Sequence, residues 1–339
     1  MKKILSMLAI AVAAAACGQP AQQDEQEPLT VIFDTDLGND VDDAIAMDLL
    51  YKYADEGKIS ILAEGITKDG LAPAEFMDVL NNWYGHPDIP FGIILNGVDC
   101  ETDAVNYAKA VNALTDAEGK PLFKRTEGMD YSKLPQTHLM YRQLLSEAAD
   151  KSVTLVVVGF STNIFRLLES PADEISPLTG KELIAAKVRN LVMMAGCFDG
   201  SNPSEYNVWK DIPAAQKIVA EWPTDLVFAP FELGVQVCYP ATSIENDFTW
   251  AEAHPMVEAY KAYLPMPYDR PCWDPAALVY AVEGDRWFGV SEPGKISISD
   301  GGTTTFEVCE NGRHRYLTVT PEQAVALTDH IVEVVSRPL

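Results

Sequence analysis

Residues 34–43 read Asp34-Thr35-Asp36-Leu37-Gly38-Asn39-Asp40-Val41-Asp42-Asp43, five aspartates within ten residues. Carboxylates at this density repel one another, so they are either solvated or held by a cation. Hard oxygen donors suit Ca²⁺ and, less readily, Mg²⁺. Gly38 and Asn39 permit the tight turn that folds such acids inward. The plain alternative is a solvated acidic loop in which Asp42 or Asp43 caps a helix. Position favours the cation. The acids directly follow the apolar run Leu29–Phe33, which has the character of a buried parallel strand. Ligands of parallel sheets sit beyond the carboxyl ends of the strands.

Three other chemistries fail on residue type. An EF-hand loop counted from Asp34 needs Gly at its sixth position and Glu at its twelfth, where the chain has Asn39 and Ile45. A phosphatase of the haloacid dehalogenase type also places Asp-x-Asp after its first strand. It usually continues with Gly-Thr, whereas here Leu37-Gly38 and a second acid pair follow. A Ser/His/Asp hydrolase built on a Gly-x-Ser-x-Gly elbow has no such elbow here.

The elements that must position these acids alternate. Strands are expected at Leu29–Phe33, Ile59–Ile66, Phe91–Leu95, Val153–Val158, Val188–Met194 and Asp225–Phe228. Helical spacing begins at Asp42 and recurs over Ala74–Tyr84, His138–Ala149, Asn163–Glu169 and Ile212–Ala220. Alternation of this kind implies right-handed βαβ crossovers and one large α/β domain, with a mostly parallel central sheet covered by helices on both faces. Residues 296–320 read as a late β-hairpin and 321–336 as a closing helix.

The chain has 339 residues, a formal net charge of −25 and a sequence pI near 4.4. That excess repels phosphate backbones, so nucleic-acid polymers are poor partners, while small molecules and divalent metals remain. Lys2 and Lys3 precede the apolar run Ile4–Ala16, which is too short to span a bilayer. With Ala14-Ala15-Ala16 before Cys17 it reads as an export signal over residues 1–16. The site resembles a bacterial lipoprotein box, which implies acylation of Cys17 and membrane attachment through that lipid, in the periplasm or at the cell surface. Residues 17–28 are then a polar tether and 29–339 the catalytic domain. The other cysteines are odd in number and form no Cys-x-x-Cys pair, so no metal knuckle or disulfide is assigned.

Asp34-Thr35-Asp36-Leu37-Gly38 followed by Asp42-Asp43-Ala44 resembles the N-terminal motif of the nucleoside hydrolase family, with two extra residues before the acid pair. Further blocks agree in order. Val157–Asn163 resembles the family's Gly-Pro-Leu-Thr-Asn segment, and Val192–Gly196, with Met194, its Met-Gly-Gly strand. Glu205-Tyr206-Asn207 and Asp211–Ala215 resemble its Glu-Phe-Asn and Asp-Pro-Glu-Ala-Ala block. Trp273-Asp274-Pro275 resembles its His-Asp-Pro segment.

The resemblance implies a Rossmann-like fold and calcium-dependent hydrolysis of ribonucleosides to ribose and free base. It also implies homo-oligomers. The implied Ca²⁺ ligands are Asp36, Asp43, the Thr162 carbonyl and Asp274, with Asp36 also the general base. Asp42, Glu205, Asn207, Asp69, Met194 and Trp273 are the implied substrate contacts, and Asp34 would orient the loop from behind. The insertion leaves Asp40 and Asp42 as alternatives for the ribose, with Asp42 preferred because it leads straight into the helix. Trp273 replaces the imidazole that protonates the leaving base in many members. It could stack on a purine or simply pack in the core. His314, between two arginines, is a candidate acid at the pocket mouth, with surface placement as its plain alternative. Loss of that imidazole keeps two other readings open: a non-catalytic ribose- or nucleoside-binding lipoprotein, or an N-ribohydrolase for another ribosylated metabolite.

Overall fold

The computed structural model describes residues 27–99 and 106–339. The expected leader over residues 1–16, Cys17, most of the tether, and Cys100 lie outside the described residues. A ten-stranded sheet organises the rest. Its strands in chain order are β1 (Leu29–Thr35), β2 (Ile59–Ile66), β3 (Phe91–Gly92), β4 (Val153–Val157), β5 (Val188–Met194), β6 (Asp225–Ala229), β7 (Gly289–Val290), β8 (Gly294–Ile298), β9 (Thr304–Val308) and β10 (His314–Thr318).

The lateral order is β9-β8-β10-β6-β5-β4-β1-β2-β3, with β7 added to β10. The strands from β3 across to β6, and β10 beside β6, are parallel, while β7, β8 and β9 join antiparallel. The order 3-2-1-4-5-6 reverses between β1 and β4, which opens a crevice at their carboxyl ends.

Burial on both faces explains the near-continuous apolar strands. β4 is buried at every position, and Val31, Phe33, Val156 and Val192 are fully enclosed. Each such side chain stabilises the fold by roughly 1.5–3 kcal/mol. One core lies under the helices Asp42–Asp55, Trp273–Glu283 and Pro321–Val335, and the other under Thr137–Glu147, Thr162–Leu168 and Ile212–Glu221. Among the described residues no helix is long and apolar enough to cross a membrane.

Two expectations are revised. The strand expected over Phe91–Leu95 stops at Gly92, because Ile93 turns to bridge Gln136. The late hairpin is real as β8 and β9, but the third segment leaves it. β10 inserts beside β6 in parallel, so the hairpin widens the main sheet. Two small sheets had no sequence signal: Lys68–Asp69 with Val98–Asp99, and Cys238–Tyr239 with Arg270–Pro271.

Glu64 of β2 is fully buried. Its Oε2 accepts from Asn81 Nδ2 at 2.9 Å, while Oε1 has no partner. Burial pushes its carboxyl up to about 8, with hydrogen bonds from Asn81 and Tyr51 opposing. Between the ordinary glutamate range and that value the folded chain holds a proton that the unfolded chain releases, so this group's contribution to stability falls as pH rises across that window. Glu64→Gln removes the decline. Melting curves from pH 5 to pH 8 should show the variant gaining on the wild type as pH rises, and parallel curves would refute a neutral Glu64.

Candidate active site

A cavity of about 380 Å³ opens at the carboxyl ends of β1, β4 and β5. Its mouth lies at the reversal point of the sheet. β1 delivers Asp36 and β4 delivers Val158, while β5 delivers Met194. The strand ends approach closely. A Cβ on Gly159 would lie 2.5 Å from the Asp36 amide nitrogen, so only glycine lets β4 pass the Asp36 backbone. Gly38 takes φ 114°, which turns the acid loop back toward the helix Asp42–Asp55.

Asp42, Asp43 and Asp274 form the floor. Each offers a carboxylate oxygen, and these oxygens all lie within 4.8 Å of one another. All three residues are buried. The Thr35 hydroxyl donates to Asp43 Oδ1. Asp42 Oδ2 accepts from the amides of Trp273 at 2.9 Å and Asp274 at 3.0 Å. An acid in the first turn of one helix thereby satisfies amides at the start of another. Burial, and then the charges of the neighbouring aspartates, hold all three carboxyls well above the usual carboxylate range. Buried anionic oxygens this close, with so little positive charge beside them, fit a hard divalent cation.

Asp36 lines the same cavity but lies outside that tight group; Asp42 stands in it instead. Burial pushes Asp36 up to about 7, with Lys68 opposing and Asp40 and Glu205 reinforcing. Its Oδ2 accepts from Asn39 Nδ2 at 3.1 Å. Asp40 points to the rim, where Arg270 Nε donates to Oδ1 at 2.8 Å and Arg270 Nη2 donates to Oδ2. The two alternatives for the ribose acid therefore have different surroundings: Asp42 is at the floor and Asp40 is ion-paired at the rim. Asp34 lies beneath the cavity, fully buried, accepting from Tyr141 at 2.7 Å and Asn163 at 3.0 Å. Burial pushes it up to about 7 against those two hydrogen bonds.

Glu205 and Asn207 both line the cavity. Glu205 Oε1 accepts from the Asn207 amide at 2.8 Å, and Oε2 accepts from the amides of Gly196 at 3.0 Å and Val208 at 3.1 Å. Asn207 Nδ2 donates to the carbonyls of Val158 at 2.7 Å and Met194 at 3.1 Å. Trp273 is on the wall with its indole N–H donated to the Phe231 carbonyl at 2.9 Å and its ring stacked on Phe231 at 5.6 Å.

Two of the expected contacts, Asp69 and Thr162, are not among the residues that line the cavity. Asp69 is not in the lining; its Oδ2 accepts from the Gly97 amide at 3.2 Å within a small sheet. Thr162 opens the helix beyond β4, gives its hydroxyl to Asp211, and is also outside the lining. His314 is buried where β10 meets Leu226 near the start of β6, the end of the sheet opposite the cavity, so it is not at the mouth. Its Nδ1 accepts from the Ile296 amide at 2.9 Å. Phe231 and Tyr263 line the cavity without having been expected. The strand-end rule finds Phe231, two residues past β6, whereas Tyr263 and the rim residue Arg270 carry no local sequence signal.

A sheet with this reversal point, carrying an acid-floored and aromatic-walled cavity, defines an α/β enzyme acting on small molecules. The model of the family described as inosine-uridine preferring nucleoside hydrolase matches residues 31–333, and the chain belongs to that family. It is therefore an N-glycosyl hydrolase of the nucleoside hydrolase fold. A plant nucleoside hydrolase is 19% identical with TM-score 0.66, covering 92% of this chain and 100% of its own. An inosine-uridine preferring nucleoside hydrolase from Bacillus anthracis is 17% identical with TM-score 0.65, covering 90% and 99%. A purine-preferring ribonucleoside hydrolase from Gardnerella vaginalis is 13% identical with TM-score 0.66, covering 91% and 99%. No curated protein matches the sequence.

The floor makes a test independent of turnover. Asp43→Asn keeps the side chain's size and removes one of three crowded charges. It should raise the melting temperature of the metal-free protein and weaken divalent-cation binding in calorimetry by about 10-fold or more. Unchanged affinity would remove Asp43 from the cation site.

Proposed function

We propose that the protein hydrolyses the N-glycosidic bond of ribonucleosides to ribose and free base, depends on calcium, and slightly favours purines. The observation that carries this reading is the convergence of Asp42, Asp43 and Asp274 beside Asp36, at the sheet's reversal point, in a chain of this family. Calcium, when bound, supplies a Lewis acid that eases deprotonation of water and anchors sugar hydroxyls. Asp43 and Asp274 would hold it together with Asp42 or Asp36, with the Thr162 carbonyl as a further proposed ligand.

The chain's own residues do the rest. As the C1′–N bond lengthens, positive charge grows on C1′ and the ring oxygen, and the surrounding carboxylates stabilise it. Asp36, on the wall rather than in the tight group, accepts the proton of the attacking water. Asp42 and the Asn207 oxygen orient the ribose hydroxyls, and Glu205 clasps the loop that carries Asn207. Phe231, Tyr263 and Trp273 supply flat apolar surface for the base, and purines, with the larger ring, cover more of it.

Inosine, guanosine, adenosine and uridine should each release base with the calcium-loaded protein and stop doing so when a chelator is added. Silence toward all four removes this reading. Asp36→Asn should lower kcat by about 10²-fold or more while calcium affinity stays near the wild-type value. An equal loss of calcium would make Asp36 a ligand rather than the base. The exported, lipidated state belongs to the same reading: Cys17→Ser should shift the protein from the membrane fraction to the soluble fraction of the cell.

A further inference from the structure

Lys68 stands two residues past the end of β2, in the small sheet that pairs Lys68–Asp69 with Val98–Asp99. It is fully buried. An ammonium taken out of water is costly unless acceptors meet its hydrogens. Its Nζ donates to Asn39 Oδ1 at 2.5 Å. That contact decides which way the Asn39 amide faces. A lysine ammonium carries only donors, so it meets the carbamoyl oxygen and not the amide nitrogen. The Nδ2 group must then turn the other way, toward Asp36 and Tyr206. It donates to Asp36 Oδ2 at 3.1 Å and to the Tyr206 hydroxyl oxygen at 2.9 Å. Each hydrogen of the amide thereby has one acceptor.

Asn39, Asp36 and Tyr206 all line the cavity, whereas Lys68 does not. The amide bridges two walls. One is the acid loop that follows β1. The other is the helix Tyr206–Lys210, which carries Asn207 in its first turn and has Glu205 as its N-cap. The Tyr206 ring packs on Phe160 at 5.9 Å, so the phenol meets Asn39 from a braced position. An aspartate carboxylate turns about χ1 and χ2 unless its oxygens are held. A donor that a buried cation has itself oriented limits that rotation for Asp36, and placement at this scale governs rate. A misplacement of about 1 Å can cost on the order of 10²-fold.

Resting on the N-ribohydrolase reading above, with Asp36 as the base, we infer that Asn39 and Lys68 are positioning residues for the hydrolysis. Lys68 fixes the Asn39 amide, and the amide holds the Asp36 carboxylate where it takes the proton of the attacking water. Tyr206 anchors the same amide from the opposite wall. Both residues act through Asp36 and not on the sugar. Their loss therefore lowers kcat and leaves KM and the cation site nearly as they were.

The test measures kcat and KM on the full-length, calcium-loaded protein, using the nucleoside it cleaves fastest among inosine, guanosine, adenosine and uridine. Calcium affinity is measured separately by calorimetry. Asn39→Ala should lower kcat by about 30-fold or more, with KM and calcium affinity each within about 3-fold of wild type. Lys68→Met keeps the apolar stem and removes the ammonium, and it should lower kcat by about 10-fold. The double variant should stay within about 3-fold of Asn39→Ala alone, because Lys68 acts through the amide. Wild-type kcat in either single variant would overturn this inference and leave the ribohydrolase reading standing. Losses that multiply in the double variant would show Lys68 acting on Asp36 by its charge and not through Asn39, and would overturn it too. So would an equal loss of calcium affinity, which marks a brace for the cation site. No base released by the wild type from any of the four nucleosides would overturn the ribohydrolase reading, and this inference with it.

Discussion

Carboxylates crowded into a buried space repel one another, and this protein holds Asp42, Asp43 and Asp274 with their oxygens inside 4.8 Å. The repulsion can be borne only by a frame stiff enough not to relax it. Here the frame is a parallel sheet buried on both faces, with the helices Asp42–Asp55 and Trp273–Glu283 starting at the acids. The positive ends of those helices, the Thr35 hydroxyl and the amides of residues 273 and 274 offset part of the charge. What they leave uncompensated is what a divalent cation answers.

The same residue type does different work a few ångströms apart. Asp34, under the floor and bonded to Tyr141 and Asn163, braces β1 against the next layer. Asp40, one turn of loop away, is neutralised by Arg270 and fastens the small sheet at Arg270–Pro271 to the rim. Asp36 is left between these extremes, pushed up to about 7 chiefly by burial and facing the cavity. Glu205 and Asn207 form a clasp across the ends of β4 and β5, spending most of their hydrogen bonds on backbone. Their first effect on a bound sugar is the rigidity of the surface it meets.

Relatives of 13–19% identity share the fold over nearly the whole chain. Alternating strands and helices tolerate exchange of one apolar side chain for another of similar volume, so the sheet survives where the sequence does not. In this chain the cavity wall carries the indole of Trp273, with the Arg270 guanidinium 5.1 Å from its ring centre, beside the acid floor.

The strands and most helices were legible because their residues are buried in simple periods, β4 being the plainest case. The acid floor was legible in part. Asp42, Asp43 and Asp274 stood out by type and neighbours, but their chain separation of more than 200 residues hides which carboxylates meet. Sequence alone therefore named the acids, the strand that delivers them and the family motif. Only the tertiary structure decided that Asp42 rather than Asp36 joins Asp43 and Asp274, that Asp40 is paired with Arg270, and that Asp69 and His314 lie away from the cavity. The reason is physical: periodicity and residue type are properties of short stretches, whereas convergence depends on how distant strand ends, a glycine-permitted close approach at Gly159 and two unforeseen small sheets set side chains in space.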